Sequence, residues 1–254
     1  MKDITNSLFY KKDWRWSDFL KFTIEKLNQF DVNKKVLPPE FVFKESIYGS
    51  KKLKNKVQLF NWSVQSNKIQ LARAVCINSP TYSVFNFLII PKTNFNVPFF
   101  GVDFVTLPNL HLIVLDFQPS LTLEKQFDKK LLIRIINMKN KCHRTVPSAE
   151  KMPIEVRKFF SPGVIWSKLS KDKQSEKLIS GEIYQSFTEY LNLYLEILFK
   201  TKEVKLSLQN EIIQGQKYYL DYRKEKDPAR PMLTNLFGKE FTELLINKVL
   251  FTTN

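Results

Sequence analysis

The chain has 254 residues, of which 43% are hydrophobic, so it can bury the core of one large domain or two small ones. It contains six glycines and neither GxGxxG nor GxxxxGKS/T, which argues against a glycine-cradled phosphate site. Two cysteines, Cys76 and Cys142, are too few for a disulfide framework, so we expect the protein to lie in a reducing cytoplasm. The sequence has no apolar run long enough to cross a bilayer, and its first residues do not follow a signal or transit peptide pattern.

The net charge of +15 allows three classes of partner: nucleic acid, an anionic membrane surface, or an acidic protein or substrate. The lysines are spread along the whole chain rather than gathered into one arm. This distribution favours a solvated surface over a nucleic-acid patch, which would cluster its charge. We therefore expect no nucleic acid and no membrane as a partner, whereas an acidic partner stays open.

Two segments precede the strand-like part of the chain. Residues 16–30 carry apolar side chains at helical spacing and predict an amphipathic helix with Ser17 as its N-cap. Residues 36–50 contain two adjacent prolines and a glycine, which predict a surface loop. Because no repeat, low-complexity tract or domain boundary is visible, we assign residues 1–254 to a single domain, with residues 1–50 as an N-terminal helix and linker.

The remaining elements follow from hydrophobic periodicity. Alternating or apolar runs predict strands at residues 57–64, 69–77 and 82–90, two more within 97–119, and another within 159–169. Helical spacing predicts helices at residues 121–140, 183–199, 208–226 and 238–250, with a polar loop at 142–153. Strands that come first and helices that come later, without regular βαβ alternation, predict an antiparallel sheet with helices packed on it.

Asp103 is the most unusual residue of the strand region, because it stands among phenylalanines and valines. Alternation places Asp103 on one face of its strand, with Phe100 and Phe104 on the other. An acid walled by aromatic side chains would be desolvated, which favours its protonated form near neutral pH. Asp103 is therefore either a structural residue or a proton donor.

A second group of polar residues lies near the C-terminus. Tyr219, Arg223 and Asp227 are spaced four apart and share one face of the predicted helix. Pro228 should end that helix, which leaves Asp227 at its tip, where the helix dipole raises the pKa of a carboxyl. On spacing alone, Arg223 and Asp227 are interpreted as an exposed ion pair that closes a helix, the commoner arrangement.

Other polar and aromatic residues are interpreted as structural. We expect His111 to be a packed or edge histidine, and Asp116 to serve the fold. Cys142 and the histidine after it lack partner cysteines nearby, so we expect no zinc site. Trp62 and Trp166 are assigned to the core.

Five short segments together resemble the ferredoxin-dependent bilin reductases, in the order and with the spacing of that family. They are FGVDFV (100–105), LIVLDFQP (112–119), FFSP (159–162), EKDPARP (225–231) and LLINKVLF (244–251). The resemblance runs from about residue 57 onward and is greatest to the branch that reduces the A-ring of the pigment. It implies an α/β fold: a three-layer α/β/α sandwich with a central antiparallel sheet, and an open-chain tetrapyrrole bound between the sheet and the C-terminal helices.

The resemblance also implies roles for individual residues. Asp103 and Asp227 match two proton-donating aspartates that face each other across the pigment. Arg223 matches an arginine that contacts the substrate, and Lys168 roughly matches a basic residue that meets a propionate. Asn86 stands where the phycocyanobilin-forming members carry a histidine, which argues against phycocyanobilin synthesis.

The implied reaction is a two-electron reduction of the A-ring diene system of 15,16-dihydrobiliverdin to (3Z)-phycoerythrobilin. Electrons would arrive singly from an external 2Fe–2S ferredoxin, with no bound metal or other cofactor, and protons would come from the aspartates. Ferredoxins of this type are acidic, which fits the basic chain. The resemblance further implies a cytoplasmic monomer with transient contact to the upstream bilin reductase.

Several alternative functions stay open. Within the family, the chain could reduce biliverdin to phytochromobilin or carry out the four-electron conversion to phycoerythrobilin. Outside the enzyme class, it could be a non-catalytic bilin carrier or a basic nucleic-acid binder. Both would tolerate replacement of Asp103 and Asp227 by asparagine.

Overall fold

The structure, a computed structural model, describes residues 14–50, 52–149, 152 and 154–252. The expectation about the first residues of the chain therefore lies largely outside the described residues. The strands are β1 Asn33–Lys34, β2 Phe43–Gly49, β3 Lys54–Gln65, β4 Ile69–Asn78, β5 Ser83–Pro91, β6 Phe99–Thr106, β7 Leu110–Gln118 and β8 Ile165–Ser170. The helices are α1 Ser17–Leu27, α2 Pro39–Val42, α3 Leu123–Gln126, α4 Lys129–Cys142, α5 Ile154–Arg157, α6 Lys173–Leu178, α7 Tyr184–Lys200, α8 Leu206–Lys226, α9 Arg230–Phe237 and α10 Lys239–Leu245.

All eight strands form one antiparallel sheet. Strands β3 to β8 pair in chain order, and both β1 and β2 pair with β3 at one edge. From β3 to β7, neighbouring strands are joined directly by connections of three to seven residues, as strands of an antiparallel sheet can be. The predicted antiparallel sheet is therefore confirmed.

Helices cover both faces of the sheet. On one face, α1 and α7 pack against the strands, and the rings of Phe19, Phe104 and Phe187 contact one another. On the other face, α8 to α10 bury apolar side chains such as Leu236 and Leu245 against the sheet. Fully burying one such side chain stabilises the fold by about 1.5–3 kcal/mol. The architecture is the predicted three-layer α/β/α sandwich.

The prediction of a loop over residues 36–50 is wrong. This segment contains α2 and the strand β2, which pairs with β3 over its whole length. Pro39 lies at the first position of α2, where its missing N–H costs no helical hydrogen bond. Gly49 has a φ of 115° and ends β2. The prolines and the glycine therefore mark the ends of two short elements rather than a loop.

Several predicted helix boundaries also differ from the structure. Ser17 is the first helical residue of α1 rather than its N-cap. The helix predicted over residues 121–140 is divided into α3 and α4, because Asp128 accepts a hydrogen bond from the Leu131 backbone N–H and starts a new helix. The sequence analysis also missed α5, α6 and α9. Within the described residues, no helix is both long and apolar enough to cross a membrane.

Candidate active site

The strands β5 and β6 bring Asn86 and Asp103 together. The two residues are direct cross-strand partners, so their side chains leave the same face of the sheet. Asn86 Nδ2 donates a hydrogen bond to Asp103 Oδ1. Phe100 and Phe104 lie in the core on the opposite face, as the alternation of the strand predicts. Asp103 therefore faces the layer of C-terminal helices.

Helix α8 places further polar groups over these strands. Arg223 Nη1 donates a hydrogen bond to the Tyr219 hydroxyl, one helical turn earlier, at 3.2 Å. Arg223 Nη2 lies 3.7 Å from Asp103 Oδ2, and the two side chains are 16% and 29% exposed. The interpretation of Arg223 and Asp227 as an exposed ion pair on the helix surface is therefore wrong. Arg223 instead connects the helix layer to the sheet.

Asp227 directly follows α8, which ends where Pro228 requires. The residue is buried; its Oδ1 accepts a hydrogen bond from the Ala229 backbone N–H at 3.1 Å. Its Oδ2 is buried and has no hydrogen-bond partner among the described residues. Burial raises the pKa of Asp227, and the Arg223 guanidinium partly offsets that effect. The sequence predicted this direction from the helix dipole, whereas the larger cause is desolvation.

Asp103 has a more polar environment than the sequence predicts. Its side chain is 29% exposed and is bordered by the Asn86 amide and the Arg223 guanidinium. The expectation of an acid walled by aromatic rings is wrong, because the Asp103 side chain lines a cavity and contacts the polar groups of Asn86 and Arg223. Asp103 is a hydrogen-bonded carboxyl group at the edge of a cavity.

That cavity, called the main cavity below, opens between the sheet and the C-terminal helices. Its polar lining consists of Asp103, Gln118, Arg223, Lys226 and Asp227. Its apolar lining consists of Val105, Leu107, Leu112, Val114, Val156, Phe159, Phe160, Trp166, Tyr222, Pro228, Ala229 and Met232. A mostly apolar cleft with a few convergent polar groups is typical of a site for a small organic ligand.

A smaller cavity lies directly behind these polar groups. Asp103, Arg223 and Asp227 line both cavities, and Asn86 and Phe251 line the smaller one. Three of the four acidic and basic side chains that line the main cavity therefore lie between the two cavities.

The strand β8 places two of the predicted residues differently from expectation. Trp166 lines the main cavity rather than lying in the core, because it is the cross-strand partner of the cavity residue Val114. Lys168 leaves the same face of the sheet two residues further along β8. Its side chain is exposed and is not among the residues that line the cavity.

Two other buried ionisable residues serve the fold. Asp116 accepts hydrogen bonds from Ser161 N at 2.8 Å and from Ser161 Oγ at 2.5 Å, and burial raises its pKa to about 7. Asp116 shares a face with Asp103 but does not line the main cavity. His111 is fully buried, with Nδ1 3.0 Å from Thr106 Oγ1, which confirms the prediction of a packed histidine.

Sequence reasoning missed Arg73 and Gln118. Arg73 on β4 is buried and donates hydrogen bonds to the Leu250 carbonyl oxygen at 2.8 Å and to Asn86 Oδ1. Gln118 at the end of β7 accepts a hydrogen bond from the Tyr219 hydroxyl. Arg73 is a single charge in the apolar stretch IQLARAVCI, the same signal that identified Asp103. Gln118 gives no such signal, because a polar residue at a strand end is common.

The chain belongs to the ferredoxin-dependent bilin reductase family, whose sequence model matches residues 21–252. The resemblance of the motifs predicts that Asp103 and Asp227 face one pocket, and in the structure both side chains line the main cavity. The class is therefore that of enzymes that reduce bilins with electrons from ferredoxin.

Individual relatives give a finer comparison. The chain is 60% identical over 251 residues to phycoerythrobilin:ferredoxin oxidoreductase of Prochlorococcus marinus strain MIT 9301, covering 98% of this chain and 99% of the relative. It is 44% identical over 240 residues to the protein of the same name from strain MIT 9211, covering 94% and 93%. The solved structure of phytochromobilin synthase from tomato in complex with biliverdin matches with a TM-score of 0.79 at 25% identity, covering 94% of this chain and 83% of the relative.

Proposed function

We propose that this enzyme reduces the A-ring diene system of 15,16-dihydrobiliverdin to (3Z)-phycoerythrobilin. The observation that carries the proposal is that two acids line the same, mostly apolar cavity. Asp103 lines it from the sheet, and Asp227 lines it from the end of α8. Two acids on different walls can protonate two positions of one bound pigment. Each turnover takes two electrons, one from each of two reduced ferredoxins, and two protons, which together add two hydrogen atoms to the diene.

The two acids differ in their environment. Asp227 is buried, burial raises its pKa, and its unpartnered Oδ2 can donate a proton into the cavity. Asp103 is hydrogen-bonded by Asn86 and lies beside Arg223, so a proton that leaves it yields a carboxylate with nearby positive charge. Arg223 also offers its guanidinium to anionic groups of the pigment. Lys168, exposed on β8, is proposed to meet a propionate.

The choice of substrate within the family rests on two observations. The chain is 60% identical to a phycoerythrobilin:ferredoxin oxidoreductase and 25% identical to the tomato phytochromobilin synthase. Asn86 borders Asp103 at the position where a histidine would favour phycocyanobilin synthesis. An asparagine amide does not ionise near neutral pH, so it cannot transfer a proton to the pigment as a histidine can. Reduction of biliverdin to phytochromobilin, or to phycoerythrobilin in four electrons, is the alternative.

Electrons are proposed to come from an external 2Fe–2S ferredoxin, without a metal or other cofactor bound to this chain. The net charge of +15 supports an acidic electron donor, because opposite charges speed the encounter of two proteins. A monomeric state, a cytoplasmic location and transient contact with the upstream bilin reductase stay predictions.

The test measures single-turnover reduction of 15,16-dihydrobiliverdin by the wild type, Asp103→Asn and Asp227→Asn. Reduced ferredoxin is the electron donor, and the conditions are anaerobic. Each substitution should lower the rate of product formation about 10²- to 10⁴-fold, the usual contribution of a positioned acid, while pigment binding is retained. Asp116→Asn is the matched control, since Asp116 is a buried aspartate on the same face that does not line the cavity. Unchanged rates in both site variants would remove the aspartates from the mechanism.

A further inference from the structure

Arg73 is a buried cation one strand away from Asn86. It is 2% exposed and lies on the same face of the sheet, because its cross-strand partner Leu88 is two residues from Asn86. Its Nε donates a hydrogen bond to the Leu250 carbonyl oxygen at 2.8 Å. Burial lowers the pKa of Arg73 to about 10, so the side chain stays protonated near neutral pH. A buried charge destabilises a fold unless it is paired, so the partners of Arg73 account for its position.

Asn86 connects Arg73 to Asp103. Arg73 Nη1 donates a hydrogen bond to Asn86 Oδ1, and Asn86 Nδ2 donates one to Asp103 Oδ1. A guanidinium group has donors and no acceptor, whereas a side-chain amide has an acceptor at one end and donors at the other. Rotating the Asn86 amide by half a turn would set its N–H groups against the guanidinium. The contact with Arg73 is therefore compatible only with the N–H end of Asn86 facing Asp103.

We propose that Arg73 is a positioning residue that, by fixing the Asn86 amide, keeps the transferable proton of Asp103 on Oδ2. This inference rests on the proposed function, in which Asp103 donates a proton to the pigment. Oδ1 of Asp103 is occupied by the Asn86 N–H, whereas Oδ2 lies 3.7 Å from Arg223 Nη2, beyond hydrogen-bond distance. A proton on Oδ2 meets no competing donor and is free to move to the pigment.

Loss of Arg73 removes this control. Without the guanidinium, the Asn86 amide can turn its oxygen toward Asp103 and accept a hydrogen bond from the protonated acid. The proton then lies on Oδ1, directed at β5 rather than at the pigment, and its transfer becomes slower. Arg73 itself does not line either cavity, so pigment affinity should change little. The expected signature is a lower kcat with a nearly unchanged KM for the bilin.

The experiment is a double-mutant cycle of Arg73→Met, Asn86→Leu and the double variant, measured as anaerobic single-turnover rates with reduced ferredoxin. Pigment affinity is measured separately from the absorption change on binding. Arg73→Met should lower the rate about 10- to 100-fold, as misplacement of a reacting group does, with less than about a threefold change in affinity. In the Asn86→Leu background, Arg73→Met should cause no further loss, because the connection is already broken.

Two outcomes would overturn the proposal. One is a wild-type rate for Arg73→Met, and the other is a full, independent loss from Arg73→Met in the Asn86→Leu background. If Arg73→Met does not fold, Arg73→Gln takes its place in the same cycle, because a glutamine amide has both donors and an acceptor and therefore does not fix the orientation of the Asn86 amide. Arg15→Met controls for loss of an arginine, since Arg15 pairs with Glu176 outside the cavity. An inactive wild type would instead contradict the proposed function and is thereby distinguished from failure of this inference.

Discussion

Replacing Asp116 by asparagine should flatten the dependence of stability on pH. In the folded protein, burial raises the pKa of Asp116 to about 7. In the unfolded chain, the pKa of this aspartate is near its ordinary value of 3.8. Between these values the folded state keeps a proton that the unfolded state releases, so the free energy of unfolding falls as pH rises. The full effect of three pH units is about 4 kcal/mol, and the part between pH 5 and pH 8 is about 3 kcal/mol.

The assay is urea unfolding of the wild type and Asp116→Asn at pH 5 and pH 8, followed by circular dichroism. The wild type should lose about 3 kcal/mol more than the variant over this range, because asparagine does not titrate. The amide can keep the contact with the Ser161 backbone N–H, so the variant should fold. Asp18→Asn, at an exposed position, is the control and should follow the wild type. Equal pH dependence in the wild type and Asp116→Asn would refute the assignment of a protonated, buried Asp116.

Two further predictions concern packing and charge. In Gly215→Ala the new Cβ would lie 1.8 Å from the Ser120 carbonyl oxygen, so α8 must shift and the free energy of unfolding should fall by about 1–3 kcal/mol. Gly181→Ala has open space around its Cβ and should leave stability unchanged or raise it by about 0.5–1 kcal/mol; equal effects of the two variants would contradict this packing. With ferredoxin as donor, KM for ferredoxin should rise several-fold between about 0.05 and 0.3 M NaCl while KM for the bilin changes less; a KM for ferredoxin independent of salt would contradict electrostatic attraction.

The parts of the fold that the sequence predicts are those with a repeating physical signal. Alternation over residues 57–118 predicts five antiparallel strands, and the structure has all five as β3 to β7. The same alternation places Asp103 opposite Phe100 and Phe104. By contrast, α2 and β2 are too short to show a period, and their prolines and glycine are equally typical of a loop.

Contacts between distant segments set the limit of prediction at the site. Helical spacing correctly puts Tyr219 and Arg223 on one face, but it does not say that this face covers β6 rather than solvent. The contact of Arg223 with Asp103 and the hydrogen bond of Arg73 to the Leu250 carbonyl oxygen join residues more than a hundred positions apart. Sequence patterns extend over a few residues and cannot predict contacts between such distant positions. These contacts are visible only in the folded structure.

The most direct test of the account is the product that the wild-type enzyme forms under anaerobic conditions. Equal amounts of 15,16-dihydrobiliverdin and biliverdin are incubated separately with the enzyme and reduced ferredoxin, and the pigments are separated by chromatography and identified by their absorption spectra. We expect dihydrobiliverdin to be converted to phycoerythrobilin, and biliverdin to be bound with little conversion. Recovery of bound but unreacted dihydrobiliverdin, or faster conversion of biliverdin to phytochromobilin, would contradict it.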